Sequence, residues 1–253
     1  VGSAAVLVRV IFAAEFGKLD TKETKIDIIV TPFVTICVGV LLSLGCAPAI
    51  GAAASTVGTA IMWATELQPF FMGIIVSVIV GIALTLPISS AAICAALSLT
   101  GLAGGAAVAG CCAQMVGFAV MSFKENKWGG LFAQGIGTSM LQMGNIVRNP
   151  RIWLPPTLAS AITGPVATCI FHLKMNGAAV ASGMGTCGLV GQIGVYTGWV
   201  NDIAEGTKAA ITGMDWAGLV LICFILPAVL SWAIAIPMRK CGWIKENDLK
   251  LDL

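Results

Sequence analysis

The segment PFFMGIIVSVIVGIALTL, from Pro69 to Leu86, carries no charged residue over its whole length. It lacks both the strict alternation of a half-buried strand and the polar face of a surface helix. Uninterrupted apolar sequence of nearly the ~20 residues that cross hydrocarbon, at about 1.5 Å each, reads as a transmembrane helix. Working outward, Ile26 to Leu44, Leu102 to Phe123 (containing Gln114), Ile152 to Leu173 and Trp216 to Met238 read the same way. In the fourth of these, Pro155, Pro156 and Pro165 are expected to set its start or kink it. Val1 to Phe16, with Arg9 and Glu15 embedded, reads as the end of a span or as an interfacial helix.

Hydrophilic clusters punctuate these spans. Residues 17–27 form a mixed-charge loop, Lys124 to Lys127 a second ending at the interfacial aromatic Trp128, and Asn201 to Lys208 a third. Residues 239–253 form a charged tail, and its Arg239, Lys240, Lys245 and Lys250 favour a cytoplasmic position. Two further stretches are too rich in small residues to face lipid. Gly45 to Leu67 suits an interior helix or a re-entrant hairpin, and Pro87 to Ala96 a half-helix.

Composition agrees. Of 253 residues 58% are apolar and 10% charged, too few charges to cover a soluble surface. The 30 glycines lie largely inside apolar segments, where they let helices approach closely or let the chain break. The nine cysteines sit mostly among Gly and Ala and form no C-x-x-C pair, so they read as small buried residues. With one histidine in the chain, no metal site and no cofactor are expected. The first residue is Val1 and no cleavable signal pattern follows, so an N-terminal part of a longer protein is expected to be missing. The fold expected is an all-α membrane protein, a polytopic bundle of about seven to ten membrane segments with broken or re-entrant glycine-rich hairpins, forming one domain over residues 1–253.

Two stretches echo each other. Gly135-Ile136-Gly137-Thr138-Ser139-Met140-Leu141 is matched by Gly183-Met184-Gly185-Thr186-Cys187-Gly188-Leu189, with Gln142 and Asn145 after the first and Gln192 after the second. Paired glycine-interrupted segments are the sequence pointer to a transporter binding site, since broken backbone at membrane depth persists only inside protein or around a wet cavity. Small-residue helix seams are the alternative reading. Thr138, Ser139, Gln142, Asn145, Thr186 and Gln192 are the candidate solute ligands, with backbone at Gly135, Gly137, Gly183 and Gly185.

Ionisable groups in apolar surroundings add candidates, because each costs about 2.5–3.5 kcal/mol to insert. Glu66 and His172 are candidate solute ligands, against plain interfacial roles. Arg148 and Arg151 suit either an anionic substrate or lipid headgroups. No nucleophile–base pair, G-x-S-x-G or Walker-type loop occurs, so no catalytic residue is assigned. Basic residues are too scattered for nucleic acid.

The runs Pro87-Ile88-Ser89-Ser90-Ala91-Ala92, Ala113-Gln114-Met115-Val116-Gly117-Phe118, Gly135 to Gln142, and Asn149-Pro150-Arg151-Ile152-Trp153-Leu154-Pro155-Pro156-Thr157 together point to a family. Over nearly its whole length the chain resembles the bacterial family classed as phosphotransferase-system enzyme IIC type 2, which includes perfringolysin-regulator-like membrane proteins. The resemblance implies a multi-pass sugar-permease subunit of the bacterial plasma membrane, homodimeric, working with cytosolic phosphocarrier subunits. No G-I-T-E-P-like segment and no histidine–glutamate pair of the better-known sugar permeases is present. The function expected is a permease that binds and translocates a small polar solute, a sugar or sugar derivative, with membrane lipids around it. A solute-sensing regulator and an ion-coupled secondary transporter using Glu66 are the alternatives.

Overall fold

The computed structural model describes Ala52 and residues 55–251; the segment Val1 to Phe16, the loop at 17–27, the span at Ile26 to Leu44 and the first part of Gly45 to Leu67 lie outside the described residues. Among the described residues the chain is helical, with one isolated antiparallel bridge between Gly101 and Met175. Residues 55–67 form a helix that leads into α1 (Pro69–Thr85), whose proline occupies the first turn, where its missing N–H is no loss. α2 (Ser90–Ala96) follows a short break and is capped by Ser89, whose hydroxyl accepts from the Ala92 N–H at 3.1 Å.

At the centre stands α3 (Gly101–Met121), every residue of which from Leu102 to Ala119 is buried. α6 (Leu154–Pro165) and α10 (Leu226–Lys240) pack on it together with α1. Ser77 faces Gly110 and Thr85 faces Gln114, so α1 runs parallel to α3. α6 runs the other way, with Ser160 against Gly110 and Thr157 against Gln114. The contacts Gly117 to Ser231 and Met121 to Arg239 make α10 parallel again. Small residues make this approach possible. A Cβ on Gly110 would fall on the Ser77 carbonyl, so only glycine fits there. Hydroxyls stitch the seam: Ser77 donates to the Ser160 carbonyl at 2.8 Å, and Thr168 to the Pro69 carbonyl at 2.7 Å.

Parallel neighbours need a return path. Residues 86–100 supply it, with α2, about 10 Å long, covering part of the way back. A second excursion follows α6 and its π turn Val166–Ile170. It runs through α7 (Ala179–Ser182) to a tip at Gly185, and back along α8 (Val190–Ala204). The ends of this hairpin are tied by Asn176, whose Nδ2 donates to both carboxylate oxygens of Asp202 at 2.9 and 3.0 Å. Its tip rests on Cys111 and Cys112, halfway along α3. Asn176→Leu is expected to cost about 1.5–3 kcal/mol, the worth of bonds to a charged group. Hydrogen exchange should then rise in residues 176–189 and not in α3; equal protection in both would show the tie to be idle.

Two helices are long and apolar enough to cross a membrane among the described residues, Gly101–Met121 and Gly213–Lys240, the latter built from α9 (Gly213–Val220), a π turn and α10. The first is 94% buried and the second 33%, which separates a core helix from one whose apolar outer face needs a non-aqueous surrounding.

Three local expectations differ. Lys124 to Lys127 is not an open loop but the start of α4 (Phe123–Phe132), broken at Lys127, where φ is 51°. Helix α8 runs on to Ala204, into the expected loop at Asn201. Beyond α10 the tail folds back, burying Ile244 and Leu249 against Phe118, Ile146 and Ile152. Arg239 fixes its root on Glu125 (2.9 and 3.3 Å) and on the Met121 carbonyl (2.9 Å). The Lys124 ammonium, donating to Glu246 at 2.9 Å, holds that carboxyl below its usual range.

Candidate functional site

The two glycine-rich segments are both broken. After α4 the backbone widens into a π turn, Ala133–Gly137, closed by the Thr138 N–H on the Ala133 carbonyl at 2.9 Å. Thr138 is extended and its hydroxyl caps the next turn, Ser139–Gln142, by accepting from the Met140 N–H, and α5 (Met143–Arg148) follows directly. Two glycines in five residues remove the propensity that would keep an α-helix going here. In the second segment Gly185 and Gly188 lie at φ of 52° and 53°, and Leu189 follows at 59°. The Gly191 N–H closes this turn on the Gly185 carbonyl at 2.9 Å. The first π turn packs directly on residues Cys187–Leu189, so the echoing stretches meet beside the second half of α3.

A buried polar chain ties this meeting point to the core. The hydroxyls of Thr85 and Ser139 lie 2.9 Å apart, and Thr85 donates to Gln114 Oε1 at 3.4 Å. Trp153 Nε1 donates to the same oxygen at 3.0 Å, and Gln114 Nε2 donates to Thr157 Oγ1 at 3.2 Å. Sequence reasoning picked Ser139 alone from this chain. The signal for the rest was in the quoted motifs, for Gln114 stands in A-Q-M-V-G-F, and Trp153 and Thr157 in N-P-R-I-W-L-P-P-T.

The other amides of the first segment are engaged elsewhere. Gln134 donates to Ser122 Oγ at 2.7 Å and accepts from Gln142 Nε2 at 2.9 Å. Gln142 also donates to the Leu249 carbonyl at 3.0 Å. Asn145 Nδ2 donates to Gln142 Oε1 and to the Lys250 carbonyl, both at 2.8 Å. Gln142 and Asn145 thus hold the tail in this conformation, beside Asn126, which donates to the Leu249 carbonyl at 2.7 Å.

In the second segment the Thr186 hydroxyl donates to the Met115 sulfur at 3.5 Å, a weak acceptor. Gln192, in the orientation that satisfies both its amide atoms, donates to the carbonyls of Gly185 (3.1 Å) and Leu189 (3.3 Å). Ser139 and Thr186 are fully buried, Gln192 nearly so, and Thr138 is half-buried.

Glu66 and His172 are not part of this cluster. Glu66 is exposed just before α1, whereas Ser139 meets the far end of that helix, about 25 Å away along 17 residues. His172 is exposed, at φ of 44°, and lines a polar pocket of about 390 Å³ with Asn176, Trp199, Asp202 and Lys208, near the start of α3. Arg148 is exposed, and the Arg151 guanidinium covers the Trp243 ring at 5.5 Å.

Comparison with curated proteins and with solved structures gives no match. The family comparison does. Residues 2–251, nearly the whole chain, match the model described as Phosphotransferase system, EIIC, and the chain belongs to that family.

Proposed function

We propose that this chain is the multi-pass plasma-membrane permease subunit that holds and translocates a sugar or sugar derivative between its two broken glycine-rich segments. Family membership makes it an integral membrane component of a phosphotransferase-system permease. The observation that carries the finer reading is the packing of Ala133–Gly137 on Cys187–Leu189, beside the second half of the central helix α3. Broken turns there leave backbone amides and carbonyls free of helical pairing, in surroundings where water cannot compete for them. Thr138, Ser139, Thr186 and Gln192 supply the side-chain partners for solute hydroxyls.

Burial of these groups fits an occluded conformation. The hairpin of residues 176–204 meets the core through Gly183 and Gly185 and also through Ala181, Val195 and Trp199, which are buried with Val108, Ala109 and Cys112. It enters and leaves on one side as a re-entrant element. The chain works as a homodimer with cytosolic phosphocarrier subunits, which bring the phosphoryl group. Its own contribution is to hold and position the solute for that transfer.

The test uses inverted vesicles with phosphoenolpyruvate, soluble phosphocarriers and a panel of labelled sugars preselected by thermal shift of the purified protein. The transported sugar should appear phosphorylated. Thr186→Val should raise its KM about threefold to tenfold, the worth of one hydrogen bond, and leave folding intact. Accumulation of unmodified solute under an ion gradient would overturn the group-transfer reading, and wild-type KM in both Thr186→Val and Ser139→Ala would overturn the site.

A further inference from the structure

A groove of about 630 Å³ opens between the end of α3, α4 and α10. Its walls are Val120, Phe123, Leu131, Trp232 and Ile236, and its rim carries Lys124, Lys127 and Arg239. We propose that this groove binds one acidic phospholipid, with an acyl chain along the apolar walls and the phosphate at Lys127 and Lys124.

Charge complementarity picks the occupant. Arg239 is committed to Glu125 and the Met121 carbonyl. Among the described residues Lys124 is held by an ion pair with Glu246 in which both side chains are more than two-thirds exposed, a contact worth little that an arriving phosphate can replace. Lys127 forms no ion pair among the described residues, and its backbone sits at φ of 51° and ψ of −147°, which breaks α4 at the groove's edge. A lysine kept in a costly conformation, with its ammonium at the rim of an apolar trough, fits a fixed anion site.

The surroundings suit a headgroup layer. Trp128 is exposed, stacks on Phe132 and meets Phe123 edge-to-face, Trp232 is exposed on the groove wall, and the basic tail lies at the same end. Amphipathic aromatics and cations together mark the level where hydrocarbon gives way to phosphates, and basic pockets between spans on that side hold anionic headgroups. A zwitterionic lipid would gain the walls and not the rim.

The experiment is native mass spectrometry of the purified full chain with phosphatidylglycerol, with phosphatidylcholine of the same acyl chains, and with glycerol phosphate alone. Each membrane-surface cation contributes about fivefold, so two predict phosphatidylglycerol about 25-fold tighter than phosphatidylcholine, with the preference shrinking in high salt. Lys127→Glu should erase most of that preference and Lys127→Arg should keep it. Should Lys127→Glu fail to purify, Lys127→Gln serves the same comparison with a loss of about fivefold. Equal affinity for the two lipids, or wild-type preference in Lys127→Glu, would overturn the proposal. Glycerol phosphate binding as tightly as the lipid would overturn the lipid in favour of a free phosphate ligand. A change of oligomeric state in Lys127→Glu without lipid preference would assign the groove to a second copy of this chain instead.

Discussion

Replacing Gly110 by valine is expected to eliminate folded, monodisperse protein and with it all solute uptake. Gly110 sits where three helices converge. Its missing side chain lets the Ser77 carbonyl of α1 lie against α3, and its own carbonyl accepts from Ser160 of α6 at 3.3 Å. In an ordinary core an added methylene displaces side chains and costs about 1–3 kcal/mol. Here the obstacle is backbone, so α1 must move as a body and the Ser77 to Ser160 bond stretches with it. Helices in hydrocarbon are held by close packing rather than by exclusion of water, so a seam forced apart has no second source of cohesion. Size-exclusion profiles and melting temperature read the result. Gly144→Ala is the control, since nothing lies within 4 Å of an added Cβ there, and it should be neutral or stabilising by up to about 1 kcal/mol. A Gly110→Val protein that elutes and melts like the wild type would contradict this account of the core.

That seam was legible in the sequence as a class of feature. The small-residue bias of Leu102 to Phe123 marks a helix made for close neighbours, and the paired G-x-G-T stretches mark places where helices stop. Both follow from local chemistry, which a single chain displays. What the sequence did not display was pairing at long range. Gln114 looks like any polar residue in a span until Thr85, Trp153 and Thr157 close around it.

The tail misled for a different reason. Its charges read as solvation, yet Ile244 and Leu249 are enough to anchor it, because the amides of Asn126, Gln142, Asn145 and Asn149 receive its backbone and Asp248. An amide that can grip a solute hydroxyl can grip a carbonyl equally well, so residue type alone could not separate the two roles. The break at Lys127 left no trace either, since a positive φ at lysine has no compositional signal, unlike the same angle at Gly185 and Gly188.

Leu249→Asp should separate clamping from solute binding. Leu249 is fully buried with Phe118, Ile146, Ile152 and Ile244, and a carboxylate forced into that cluster without a partner costs several kcal/mol. The contacts that hold the tail, from Asn126, Gln142, Asn145 and the cluster around Phe118 and Ile152, are separate from the Ser77 to Ser160 seam of the bundle, so release of the tail is the cheaper response. At a cost of about 3 kcal/mol the released fraction rises on the order of 100-fold, and protease cleavage near Lys245 and Lys250 should quicken accordingly. Release frees the donors of Gln142 and Asn145. If those amides serve only the tail, Gln142→Ala and Leu249→Asp will loosen it alike, the double variant will add little, and solute affinity will stay at the wild-type level in all three. If Gln142 also grips solute, Leu249→Asp will keep or raise affinity while Gln142→Ala lowers it about threefold to tenfold. A Leu249→Asp protein whose tail resists protease as well as the wild type's would mean that the amides, not the buried leucine, hold the tail in place.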